Sequence, residues 1–140
     1  MTFPRLKGIP VYQPTAAVVV LILYLTLLPD PFGEESVPSF PGMDKVAHFM
    51  MFGGLTGTFI YDRWRICSPL RPSGALAVAL ASTALGLLVE WLQDTMHLGR
   101  TGNDPLDALA NTCGAFLAVP VCLALHWIDV AVHHRSGKDA

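Results

Sequence analysis

Residues 74–93 read GALAVALASTALGLLVEWLQ, and this stretch decides the fold because sixteen uncharged residues precede its first charge, Glu90. A helix that crosses the roughly 30 Å hydrocarbon core of a bilayer needs about 20 mostly apolar residues. A helix on the surface of a soluble protein normally carries a polar stripe along one side. The stretch therefore predicts a membrane-spanning helix and makes a soluble helical bundle the weaker interpretation.

Three further stretches approach the same length: residues 12–28, 44–61 and 105–128. The first contains the run TAAVVVLILYLTLL, and the last has no charged residue between Asp107 and Asp129. Helices are the form in which such segments satisfy their backbone hydrogen bonds in lipid. We therefore predict an all-α polytopic membrane protein, in which residues 1–140 form one domain and four transmembrane helices pack into a compact bundle.

The composition of the whole chain agrees with a membrane protein. Of its 140 residues, 52% are hydrophobic and only 14% are charged, whereas a soluble domain has roughly a quarter of its residues charged. The formal net charge of −2 excludes the basic surface that nucleic-acid binding requires. We expect membrane lipids as partners and no nucleic acid.

The basic residues predict the orientation of the chain. Seven of the nine fall on one side of the predicted membrane: Arg5, Lys7, Arg63, Arg65, Arg71, Arg135 and Lys138. The other side has only Lys45 and Arg100. Cytoplasmic loops carry the excess of lysine and arginine. We therefore predict a multi-pass protein of the inner, cytoplasmic membrane, with both termini in the cytoplasm.

Polar residues gather at the predicted outer ends of the second, third and fourth spans. They are Asp44, Lys45, His48, Glu90, Gln93, Arg100, Asp107 and Asn111. Ionisable groups a turn inside the membrane are expensive, and they are usually paired. Glu90, His48 and Asp107 therefore indicate a structural ion-pair network, a ligand-binding site, or one network that does both.

Other positions have structural interpretations. Asp104 precedes Pro105 and is expected to cap the fourth span. Gly53, Gly57 and Gly114 belong to stripes of small residues that let helices approach closely. We expect the second, third and fourth spans to pack around the polar residues, with the first span peripheral. The same stripes could also support an oligomer, and the sequence leaves the oligomeric state open.

The polar residues fall into a recognisable order. Asp44-Lys45-x-x-His48 begins one helix, Glu90-x-x-Gln93 ends the next, and Arg100 is followed by Asp107-x-x-x-Asn111-x-x-Gly114. This order resembles the VanZ-like family, whose namesake is the teicoplanin-resistance membrane protein. The resemblance covers residues 44–118. The segment RTGNDPLD, from Arg100 to Asp107, is about one residue longer than the family's usual spacing, and Phe52 stands where a tyrosine is common.

The resemblance implies a small integral membrane protein of the cell envelope, connected with the response to antibiotics, and it specifies no reaction. The function that we expect is binding or modulation of a cell-envelope lipid, a lipid-linked precursor or glycopeptide susceptibility. Arg100 and Lys45 would hold a phosphate or carboxylate group, and arginine favours a bidentate grip. Transport is less consistent with the pattern, because transport sites usually lie near the midplane of the membrane.

The alternative is a membrane-embedded enzyme that uses Glu90 and His48 for acid–base chemistry on a lipid-linked substrate. A metal ion could also bind His48, Glu90, His97 and Asp107, since nitrogen and oxygen ligands suit zinc. However, the chain has no H-E-x-x-H motif, nucleophile elbow or P-loop. The sequence therefore assigns no catalytic residue, metal ligand or cofactor, and an enzyme is not the favoured prediction.

Overall fold

The computed structural model describes residues 10–28, 41–66, 68–96 and 105–136, with side chains described as far as residue 132. Within these ranges the chain forms four helices and no strand. They are α1 (Gln13–Leu27), α2 (Met43–Arg65), α3 (Pro72–Thr95) and α4 (Pro105–Ser136). The all-α prediction is confirmed.

The helix boundaries follow local signals. Gly42 takes a left-handed conformation with φ of 84° immediately before α2, a conformation that glycine adopts without a steric penalty. Prolines lie in the first turns of α1 and α3 and at the first residue of α4, where the missing N–H costs nothing. The helix α4 continues to Ser136, eight residues beyond the predicted end, because helical hydrogen bonding does not stop where the apolar run stops.

Two of the helices are long and apolar enough to cross a membrane. They are α3 and residues Pro105–Val132 of α4, with mean hydropathies of 1.9 and 2.0. Core helices of soluble proteins can meet the same criterion, but only 33% and 17% of these windows are buried. The helix α1 has only 15 residues, a length of about 22 Å, and α2 has charged residues near both ends. The arrangement with four spans stays a prediction.

The most extensive helix–helix contact is between α2 and α4, and small residues make it close. A Cβ atom added to Gly114 would overlap the backbone carbonyl of Phe49, and one added to Gly53 would lie 3.1 Å from the carbonyl oxygen of Gly114. At Gly57 the nearest atom, the Cys122 sulfur, is at an ordinary 3.7 Å. The tight crossing of α2 and α4 is therefore at Gly53 and Gly114, and Gly57 has more room.

Two apolar clusters fill the bundle. One contains Ile60, Ala75, Ala79, Ala115, Val119 and Cys122. The other contains Ile22, Phe52, Leu55 and Val89, and it lies next to the polar end of the bundle because Val89 precedes Glu90 and Phe52 follows His48 by one turn. The helix α1 buries only Ile22 and Thr26. It packs against α2 and α3.

Candidate functional site

The first turns of α2 and α4 and the last turns of α3 lie at the same end of the bundle. We call the polar residues there the polar layer; its members are Asp44, Lys45, His48, Glu90, Gln93, Asp107 and Asn111. All except Asp44 and Lys45 are buried. The structure thus places seven of the predicted site residues at one end. Arg100 and Asp104 lie outside the described residues, as does His97.

His48 is at the centre of the polar layer. Its Nδ1 atom lies 3.0 Å from Oδ1 of Asn111 on α4 and 3.4 Å from Oε1 of Glu90 on α3. A proton on Nδ1 would be donated to Asn111. The ring also stacks on Phe52, with 6.4 Å between ring centroids. His48 therefore joins three helices through one ring.

Lys45 connects the buried centre to the surface. Its ammonium nitrogen lies 3.3 Å from Oδ1 of Asp107 and 3.0 Å from Oδ2 of Asp44. The Asp107 side chain is 7% exposed, whereas Lys45 and Asp44 are 32% and 53% exposed. Lys45 is the partly exposed cation of the layer, and one buried and one exposed carboxylate fix its position.

The two buried carboxylates differ in their relation to the helix dipoles. Asp107 lies in the first turn of α4, where the positive end of the dipole stabilises an anion. Glu90 lies five residues before Thr95, the last residue of α3, where the dipole gives an anion no such stabilisation. Glu90 thus depends more on a positive neighbour than Asp107 does. Oxygen atoms of both residues and a ring nitrogen of His48 lie within 4.8 Å of one another.

The spacing of Glu90 and Gln93 by three residues, and of Asp44 and His48 by four, places each pair on one helix face, but neither pair shares its surroundings in the structure. Gln93 is buried, and its amide donates a hydrogen bond of 2.8 Å to the backbone carbonyl of Thr26. It thereby anchors α3 to α1, whereas Glu90 on the same helix pairs with His48 of α2. Asp44 and His48, spaced by one turn, separate in a similar way, since Asp44 is exposed and His48 is buried.

A second polar cluster lies at the opposite end of α2 and was not expected from the sequence. Asp62 is fully buried, and its Oδ2 atom accepts hydrogen bonds from the Thr15 amide at 3.2 Å and the Thr15 hydroxyl at 2.6 Å. Its Oδ1 atom pairs with Nη1 of Arg65 at 3.3 Å. The carboxylate therefore caps α1 from another helix. The signal in the sequence is an acid next to Arg63 and Arg65, two of the arginines from which the orientation is predicted.

A third polar contact crosses the middle of the bundle. The hydroxyl of Thr56 on α2 donates to the hydroxyl of Ser82 on α3 over 2.9 Å, and both side chains are buried. Hydroxyl pairs of this kind hold helices together where water is excluded. This contact ties α2 to α3 and has no direct part in the polar layer.

The arrangement of the polar layer permits two kinds of chemistry. The buried carboxylates and imidazole can hold a cation or move a proton, and the partly exposed Lys45 can meet an anion. Comparison of the chain with protein-family models, curated proteins and solved structures gave no match. The resemblance to the VanZ-like family rests on the quoted motif residues alone.

Proposed function

We propose that the chain is an integral membrane protein of the VanZ-like type, whose four helices cross the cytoplasmic membrane with both termini inside. The distribution of side chains supports this. Among the residues whose side chains the structure describes, nine polar or charged residues are buried, whereas 23 large hydrophobic residues are exposed. Soluble monomers rarely expose large apolar patches, but lipid tails solvate such surfaces. Apolar residues outside and polar residues inside are the pattern that a bilayer favours.

Labelling of single cysteines tests the topology. In a background with Cys67, Cys113 and Cys122 replaced by serine, Ser39→Cys should react with a membrane-impermeant maleimide in intact cells. Ser136→Cys should react only after the membrane is permeabilised. The reverse pattern, or equal labelling of both positions, would contradict the orientation.

In the proposed function, the polar layer binds the phosphate-bearing headgroup of a membrane lipid or lipid-linked envelope precursor at the outer leaflet. The observation that carries this proposal is the position of Lys45, a partly exposed cation held between Asp44 and Asp107. The first turn of α2 lies beside it, and its N–H groups already interact with the Asp44 carboxylate, as expected where a helix N-terminus favours anions. Arg100 would add a second cation, as the resemblance implies.

Binding measurements with defined lipids test this function. Full-length protein in nanodiscs of neutral phosphatidylcholine would be titrated with phosphatidylglycerol and with a polyprenyl phosphate. Lys45→Gln and Arg100→Ala should each weaken binding about tenfold, since hydrogen bonds to charged groups contribute about 1.5–3 kcal/mol. Arg71→Gln is the matched control, because Arg71 is exposed at the start of α3, at the opposite end of the bundle. Unchanged affinity in both folded test variants would refute headgroup binding.

A second candidate function is acid–base catalysis on a lipid-linked substrate. The observation that favours it is the buried pair of His48 and Glu90, whose nearest atoms are 3.4 Å apart. A carboxylate next to an imidazole can take up and return a proton during a reaction. For an enzyme, Glu90→Gln should abolish turnover of the polyprenyl phosphate while leaving its binding intact. Absence of any turnover by the folded wild-type protein would exclude this candidate for that substrate.

A further inference from the structure

His48, Glu90 and Asp107 form a compact set of potential metal ligands. One ring nitrogen and one oxygen from each carboxylate all lie within 4.8 Å of one another, and all three residues are buried. A metal ion with ligands at about 2.1 Å separates opposing ligand atoms by at most about 4.2 Å. Small side-chain movements would therefore bring all three groups onto one ion. We propose that this trio binds a divalent transition-metal ion.

The charge of the polar layer favours a divalent cation. Its described members include three acids, Asp44, Glu90 and Asp107, and one permanent cation, Lys45. With His48 neutral, these side chains sum to −2. Glu90 and Asp107 are almost completely buried, and two carboxylates in a low-dielectric interior are unfavourable when the positive charge beside them does not balance theirs. A divalent ion bound between them would neutralise the layer.

Asn111 provides an observation independent of the acids. Its side chain is fully buried, and its Oδ1 atom lies 3.0 Å from Nδ1 of His48. Its Nδ2 atom has no hydrogen-bond partner within the part of the chain that the structure describes. A water or phosphate oxygen bound to a metal ion is an acceptor of matching chemistry. With Nε2 of His48 as the ligand atom, a proton on Nδ1 would be donated to Asn111 Oδ1, and this contact would orient the ring, as partners of metal-bound histidines do.

The donor set selects the kind of metal. One imidazole and two carboxylates suit borderline and hard divalent ions such as Zn²⁺ and Mn²⁺ better than soft ions such as Cu⁺. Three protein ligands also leave a coordination position for water or an anion. The sequence offered these three residues, with His97, as possible metal ligands but assigned none; the assignment rests on their convergence in the structure, and it does not depend on lipid binding.

Direct titration of the wild-type protein is the first test. Full-length protein would be purified with a tag that lacks histidine, stripped with a chelator, and kept in a neutral detergent without anionic lipid. We expect one Zn²⁺ or Mn²⁺ ion per chain by calorimetry and by elemental analysis after desalting. The thermal unfolding temperature should rise with the ion. Folded protein that binds neither ion stoichiometrically would overturn the proposal.

Variants locate the ion. Glu90→Gln and Asp107→Asn should each weaken binding at least tenfold. Asp94→Asn is the matched control, because Asp94 is an exposed acid on the same helix as Glu90, and it should bind as the wild type does. The double substitution of His133 and His134 by alanine should also retain binding. Two results would place the ion elsewhere and refute the site. One is loss of the ion in the double histidine variant, and the other is full binding in both Glu90→Gln and Asp107→Asn.

Replacement of a ligand by a softer one keeps the test informative if the acid variants fail to fold. His48→Cys should bind Cd²⁺ more tightly than the wild type and produce a thiolate–cadmium absorption band in excess of that from the native cysteines. If His48 has only a structural role, the variant gives no such band. Absence of the band in folded protein would therefore overturn the assignment. Lipid binding is tested separately with the Lys45 and Arg100 variants. The metal proposal and the lipid proposal can therefore fail independently of each other.

Discussion

Replacement of Asp62 by asparagine should destabilise the bundle strongly, because one buried carboxylate holds α1 against α2. The two oxygens accept hydrogen bonds from the amide and hydroxyl of Thr15 and pair with Arg65. Asparagine has nearly the same volume but no charge, and one of its two terminal atoms is a donor. Whichever way the amide turns, a donor of Thr15 or Arg65 then faces another donor.

The magnitude follows from these contacts. Removal of one partner from a buried ion pair costs about 3–5 kcal/mol, and loss of a helix cap costs about 1 kcal/mol. Asparagine keeps one acceptor, and Arg65 has further interactions, so the lower part of this range applies. We expect a decrease of about 3 kcal/mol in the free energy of unfolding, which is about a hundredfold in the equilibrium constant.

The change in the free energy of unfolding is measured by equilibrium unfolding of purified protein in mixed micelles. Circular dichroism follows the helix content as the fraction of denaturing detergent rises. Asp94→Asn is the control, because Asp94 is exposed, and its effect should be within about 0.5 kcal/mol. Thr15→Val completes a double-mutant cycle with a coupling of about 0.5–3 kcal/mol. A loss below 1 kcal/mol for Asp62→Asn, or strictly additive effects in the cycle, would refute the capping role.

Two glycines of α2 and α4 should respond oppositely to alanine. Gly114→Ala should destabilise the folded protein by about 1–3 kcal/mol, because the new methyl group meets the Phe49 carbonyl. Gly54 has open space around it, so Gly54→Ala should stabilise the folded protein by about 0.5–1 kcal/mol. The same unfolding assay measures both, and equal effects would contradict the close approach of α2 and α4. Ser82→Ala should cost about 1 kcal/mol through loss of the Thr56 hydrogen bond, and a neutral effect in that assay would show that this bond does not stabilise the α2–α3 contact.

The sequence predicted much of the candidate site but not its internal contacts. The expectation that polar residues gather at one end of three helices followed from helix period and span length, which are local properties. The pairing of His48 with Asn111, 63 residues apart, and of Lys45 with Asp107, 62 residues apart, depends on how far each helix is rotated and shifted along its axis. Helix spacing also suggested that Glu90 and Gln93 share an environment, whereas Gln93 turns to α1.

The sequence by itself determined the all-α class and the approximate positions of the helices, because apolar runs, prolines and glycines act on nearby residues. Tertiary structure decided which polar groups meet. In the sequence Asp62 only stands beside Arg63, yet in the structure it caps a helix through Thr15, 47 residues away. The packing of α2, α3 and α4 against one another decided that His48, Glu90 and Asp107 converge within 4.8 Å. A low-dielectric interior makes such convergence consequential, because buried charges need partners.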